Sequence, residues 1–177
     1  MEKTVSGVKI ELIRGNIASQ PDMEAVVNAA NAQLQIGGGV AGAIHRAAGP
    51  GLSEECRPLA PIKPGEAVIT GAHNLPNDYV IHCLGPVYGH DKPEAHLLSN
   101  CYSNALKLAE ENKIRSVAFP AISAGAFGYP VEDAAEVALT TIMEVIPGIS
   151  FIETIRFVLF SQGDLEIFNN TLESMVS

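Results

Sequence analysis

Residues 25–49 read AVVNAANAQLQIGGGVAGAIHRAAG, and the fold turns on how this stretch is read. AVVNAA (25–30) is short and apolar, as a buried strand is. Residues 39–48 are alanine-rich and apolar enough for a largely buried helix, and Gly37, Gly38 and Gly39 lead into it. A glycine turn that opens into a helix holds phosphate with its backbone, because unpaired N–H groups meet the positive end of the helix dipole there. No Lys-Ser or Lys-Thr follows, as a P-loop requires. Gly37, Gly39 and Gly42 do satisfy G-x-G-x-x-G, but Asn31 to Ile36 separate strand from glycines, and PLAPIKPG (58–65) holds no strand ending in a ribose-binding acid. The context is wrong for a dinucleotide fold.

A second unit of the same kind lies downstream. RSVAFPAI (115–122) reads as a strand, ISAGAFGYP (122–130) as a glycine loop, and 131–146 as a helix with Glu132 and Asp133 in its first turn. Pro120 marks where strand pairing stops. Two such units in one small sheet would aim two helix N-termini at one crevice, and a pyrophosphate between them would need no lysine. A purely structural reading, in which the glycines only make tight turns or close contacts, stays open.

The remaining segments alternate in the same way. VKIELIRGNI (8–17), GEAVITGA (65–72), DYVIHCLG (78–85) and TIRFVLF (154–160) are strand-like; 95–112 and 164–175 are helix-like. In 95–112, Leu98, Tyr102, Ala105, Leu106 and Ala109 share one face. Strands joined by helices at this spacing predict an α/β fold, a three-layer α/β/α sandwich with a largely parallel sheet. HNLPN (73–77) joins its two flanking strands as a hairpin, so the sheet is expected to be mixed. Ligands of such sheets collect at the carboxyl ends of the strands, where both glycine loops fall.

With 177 residues and 47% hydrophobic content, one domain with a sizeable core is expected. Twenty acidic residues against eleven basic ones give a net charge of −9, which argues against nucleic acid or an anionic membrane as partner. MEKTVSG lacks an apolar signal core and no stretch reaches membrane-span length, so a cytoplasmic protein is expected. Cys56, Cys83 and Cys101 form no Cys-x-x-Cys and read as reduced, buried thiols. The five histidines show no metal-ligand spacing, and no metal is expected.

Ala-Ile-Ser123-Ala-Gly125 approximates a nucleophile elbow, but every histidine precedes Ser123, so the triad order fails. Ser123 reads as a loop hydroxyl. Asn28 and Asn31 flank two alanines just past a buried strand; one can pin the loop while the other reaches a ligand hydroxyl, although loop capping alone also accounts for them.

VVNAANAQLQIGGGVAGAIHRAAGPGL (26–52), VIHCLGPVY (80–88), CYSNALKLAEE (101–111) and SVAFPAISAGAFGYP (116–130) resemble the macrodomain family, which binds ADP-ribose. The resemblance extends from about residue 8 to about 175 and implies a single macrodomain over 1–177 with six or seven strands. It implies a crest cleft in which Gly37, Gly38, Gly39 and Val40 line one pyrophosphate loop, and Ser123, Ala124, Gly125, Ala126 and Phe127 the other. Asn31 matches the catalytic-site residue that contacts the distal ribose, Phe127 packs on that ribose, and Phe160 borders the adenine. Asn28 and Ile17 complete the implied ligand-binding set with Asn16.

Two departures stand out. Members usually carry Gly-Asp-Ile near the N-terminus, where the aspartate accepts from the adenine amino group; here the stretch is Gly15-Asn16-Ile17. The asparagine oxygen is expected to accept that bond more weakly, being uncharged. One branch also has an aspartate that activates water where this chain has Ala41. Other branches share the alanine, and some of those hydrolyse ADP-ribosyl esters. The resemblance thus implies a slow hydrolase acting on ADP-ribosylated Asp or Glu of proteins or on O-acetyl-ADP-ribose. Its rivals are a non-catalytic ADP-ribose reader and an ADP-ribose-1″-phosphate phosphatase. ADP-ribose enters as ligand or product, with no cofactor.

Overall fold

The computed structural model describes residues 1–176. Along the chain the elements are β1 (Glu2–Val5), β2 (Val8–Arg14), β3 (Ala25–Ala29), α1 (Gly39–Ala48), α2 (Pro50–Cys56), β4 (Ala67–Gly71), β5 (Tyr79–Cys83), α3 (Glu94–Glu111), β6 (Ser116–Phe119), α4 (Val131–Val145), β7 (Thr154–Leu159) and α5 (Gln162–Val176). The strands form one sheet in the order β1-β2-β7-β6-β3-β5-β4. The five central strands run parallel, while β1 and β4 pair antiparallel at the two edges. This is the expected mixed, largely parallel sheet, and the GEAVITGA–DYVIHCLG hairpin is its β4–β5 edge.

Helices cover both faces, which is why β3 is buried at four of five positions and carries no polar alternation. On one face, Val26, Val80, Ala118 and Val158 pack with Ile44 of α1 and Leu52 of α2. On the other, Val27, Ile81, Val117 and Phe157 pack with α3, α4 and α5. Tyr102, Phe119, Phe157 and Phe168 form a continuous aromatic run there, with successive centroids 5.2–5.6 Å apart.

Three features differ from the sequence expectation. β1 was absent from it; Ser6 and Gly7, both with positive φ, form a two-residue turn that pairs Val5 with Val8, as a Ser-Gly dipeptide signals. The helix α2 was also missed, although Pro50 sits at its first position, where proline's fixed φ suits a helix start. The strand expected over 8–17 stops at Arg14, because Asn16 folds the chain into a local turn by accepting the Ala18 N–H at 2.9 Å.

One feature of the sheet positions the site. β3 and β6 pair only at Ala25↔Val117 and Val26↔Ala118. Beyond that point β3 stays on β5 as far as Ala29, and β6 stays on β7 as far as Phe119. The sheet therefore opens between its two middle strands at their carboxyl ends, where the glycine loops depart.

Candidate functional site

The first loop leaves β3 and is held by Asn31. Its side-chain oxygen accepts the Gln35 N–H at 3.1 Å and its Nδ2 donates to the Gln35 carbonyl at 2.9 Å, closing a ring around 31–35. Leu34 turns inside that ring with φ +56° and is fully buried. The Asn31 amide then faces Gly37, where an added Cβ would stand 3.3 Å from Nδ2. A Cβ on Gly42 would stand 2.5 Å from the Gly37 carbonyl oxygen, so only glycine at 42 lets the loop lie against α1. α1 begins at Gly39 without a side-chain cap. Among the described residues, the N–H groups of Gly37, Gly38, Gly39, Val40 and Ala41 have no acceptor in the chain.

The second loop leaves β6. Ser123, buried and at φ +65°, donates its hydroxyl to the Pro86 carbonyl at 2.8 Å, so it is a structural hydroxyl and no nucleophile. The Tyr129 N–H closes the loop onto the Ser123 carbonyl at 2.9 Å. Tyr129 and Pro130 stand between this loop and α4, which begins at Val131. The expectation of two helix N-termini is corrected here: α1 supplies one, but the second set of donors is a loop nest. The N–H groups of Ser123, Gly125, Ala126 and Phe127 have no acceptor among the described residues. Val40 and Phe127 pack against the same apolar cluster, while Ala124 packs on the opposite one. Residues 37–40 and 123–127 carry no charged side chain. By contrast, the hollow between α3 and α4 is lined by Glu94, Asp133, Glu136 and Glu144, and its charge opposes a diphosphate.

The far end of the crest lies at β2 and β7, where the Gly15 N–H donates to the Leu159 carbonyl at 3.1 Å. This bond holds the start of the Asn16 turn against the end of β7, one residue before Phe160, which is 90% exposed. Ile17 buries its side chain but leaves its N–H without an acceptor among the described residues. Beneath the turn, Gln20 donates from Nε2 to the Asn16 carbonyl at 2.9 Å and accepts from Arg156 Nη1 at 2.9 Å. Arg156 is fixed in turn by two bonds to Asp22, at 2.8 and 2.7 Å, and by Glu11 at 3.1 Å. The Arg156 guanidinium lowers the Asp22 pKa from its ordinary 3.8. Sequence reading missed Gln20 and Arg156; an arginine inside the apolar TIRFVLF was the available signal, since a buried charge requires partners.

Asn28 departs from its expected role as a ligand contact. Its side chain is fully buried on the α1–α2 side, with Nδ2 3.1 Å from His82 Nδ1. Its oxygen has no hydrogen-bond partner. On the other side of the ring, His82 Nε2 is 2.9 Å from Thr70 Oγ1, which donates onward to the Gly71 carbonyl at 3.0 Å. Asn28 Nδ2 can only donate, so Nδ1 is the acceptor and Nε2 carries the proton. Burial, together with nearby His45, holds the His82 pKa down to about 3. Asn28 therefore orders the interior beneath the first loop. All three cysteines are free and buried, as expected.

A largely parallel sheet opened at its centre, with two uncharged loops that present unpaired backbone N–H groups across the gap, defines an α/β protein with a cleft lined by main-chain donors. The Macro domain family model matches residues 27–138. The chain belongs to the Macro domain family. It is 45% identical over 172 residues to an O-acetyl-ADP-ribose deacetylase of Klebsiella pneumoniae, covering 94% of this chain and 98% of that protein. It is 46% identical over 172 residues to the human ADP-ribose glycohydrolase MACROD2, covering 96% of this chain but 40% of that protein. Among solved structures, the Oceanobacillus iheyensis macrodomain with ADP superposes with a TM-score of 0.95 at 36% identity, covering 99% of this chain and 96% of that one.

Proposed function

We propose that the protein binds ADP-ribose along the crest and hydrolyses its acyl esters, O-acetyl-ADP-ribose and ADP-ribosylated Asp or Glu side chains. The observation that carries this is the pair of loops at the sheet's gap, whose unpaired N–H groups at 37–41, at Ser123 and at 125–127 suit a diphosphate. The full-length match to an O-acetyl-ADP-ribose deacetylase supports the reaction class. In this reading Phe160 and the Asn16–Ile17 turn take the base, the loops take the pyrophosphate, and Asn31 and Phe127 meet the distal ribose.

The reaction consumes one water. Its oxygen bonds to the acyl carbon or the anomeric carbon, the ester C–O bond breaks, and ADP-ribose and the free acid leave. The two loops carry no carboxylate or imidazole to act as a strong base, so positioning and preorganised dipoles supply the acceleration and turnover is slow. Asn31 is suited to orient the ribose because Gln35 already fixes its amide, leaving the second Nδ2 hydrogen for a ligand hydroxyl. The three free cysteines support a reducing, cytoplasmic setting.

Incubation with O-acetyl-ADP-ribose and with glutamate-ADP-ribosylated protein tests the proposal; release of acetate and loss of label are expected. A second reading, a reader that binds without cleaving, is favoured by Ala41, which provides no base at the helix start. Persistent label alongside measurable ADP-ribose affinity would establish it.

A further inference from the structure

The turn that follows β2 presents a donor where an acceptor was expected. Asn16 is exposed, and its Oδ1 accepts the Ala18 N–H at 2.9 Å. A backbone N–H only donates, so the atom it meets is the oxygen, and this fixes the amide's orientation. Nδ2 is then the unengaged end, with two N–H bonds and no partner among the described residues. The oxygen of Asn16 is partly spent, which alters the expectation that it receives the adenine amino group.

The turn is not free to rearrange. The Asn16 carbonyl accepts both the Ser19 N–H, at 3.0 Å, and Gln20 Nε2, at 2.9 Å. Gln20 is buried and locked to Arg156, whose guanidinium is saturated by Asp22 and Glu11. This end of the crest therefore offers an exposed ring at Phe160, an unpaired N–H at Ile17, two more N–H donors on Asn16, and no carboxylate at position 16.

Purines differ at C6 in the sense of their hydrogen bond. A 6-amino group donates; a 6-oxo group accepts. We infer that this site admits 6-oxopurine nucleoside diphosphates alongside adenine ones, with Asn16 Nδ2 donating to O6. A carboxylate at position 16 would repel O6, whereas the amide pairs with it. In the same placement adenine has Phe160 to stack on but gains no bond from Nδ2 at C6, where its amino group also donates. This inference deepens the function proposed above and rests on its placement of the base.

Calorimetric titration of the full chain with ADP and with IDP tests it. For the wild type, affinities within about fivefold of each other are expected, since neither base leaves a buried group unpaired. Asn16→Asp should bind ADP in preference, raising the ADP-over-IDP ratio by about fivefold or more, because the carboxylate accepts from the amino group and repels O6. Asn16→Ala should weaken IDP more than ADP. A wild type that favours ADP by more than that margin, or variants that leave the ratio unmoved, overturns the inference while the functional reading stands. Failure of both nucleotides to bind the wild type removes the functional reading and this one together.

Discussion

Ser123 Oγ occupies the space in which a Cβ on Gly85 would have to sit, so the second loop is seated directly on the end of β5. The same Cβ would also come within 2.6 Å of Ile122 Cγ2. Because the Ser123 hydroxyl is tied to the Pro86 carbonyl at 2.8 Å, it cannot step aside cheaply. Gly85→Ala is expected to cost about 1–3 kcal/mol of stability, as overpacking does. It should also displace the donors at 123–127 and weaken ADP-ribose binding. Urea unfolding and calorimetry check the two effects separately.

Asn31→Ala removes both bonds to Gln35 and the amide that faces Gly37. Hydrolysis of O-acetyl-ADP-ribose should fall by about a hundredfold, the scale on which misplacing a reacting group acts. Affinity for ADP, which lacks the distal ribose, should fall far less. Comparing kcat with ADP affinity tests this: equal losses in both would mean that Asn31 serves only to hold the loop.

Phe160 is 90% exposed, so truncating it removes little from the fold. Phe160→Ala should change stability by less than about 0.5 kcal/mol, as surface substitutions do. ADP affinity should drop by about five- to a hundredfold, because stacking of a base on an aromatic ring contributes about 1–3 kcal/mol. Unchanged ADP binding would remove Phe160 from the site.

Acid should destabilise the protein through His82, whose pKa is depressed from 6.5 to about 3 by burial and by His45. Below pH 6.5 the unfolded imidazole binds a proton that the folded one refuses. The stability it contributes is complete above that pH and is lost as pH falls toward 3. The slope approaches about 1.4 kcal/mol per pH unit, so about 2 kcal/mol should disappear between pH 7 and pH 5. Burial lowers the His45 pKa too, which acts in the same direction. Urea midpoints across this range should show the loss, and His82→Gln should flatten the profile even if its absolute stability is lower.

Local chemistry made much of this molecule readable in advance. The strands of the core, the helices near 39–48, 95–112, 131–146 and 164–175, and the hairpin edge lie where periodicity and turn residues placed them. Both glycine loops announced themselves because glycine is needed where the backbone takes a positive φ, as at Gly39, or approaches another chain segment, as at Gly42. The uncharged character of both loops was equally plain, and it pointed to backbone donors.

What remained hidden depends on contacts between residues far apart in the chain. The sheet opens because β3 and β6 share only two paired positions, and pairing between strands ninety residues apart leaves no mark on either one. Asn28 and Asn31 have the same chemistry and nearly the same neighbours in sequence. Asn28 faces His82 in the interior, and Asn31 closes on Gln35 at the crest. Residue types and spacing determined the fold and pointed to a ligand held by backbone donors. Only the tertiary structure decided which amide is buried, which end of the Asn16 side-chain amide is engaged and which residues brace the turn, because hydrogen-bond partners such as Gln20 and Arg156 are 136 positions apart and meet only when the sheet assembles.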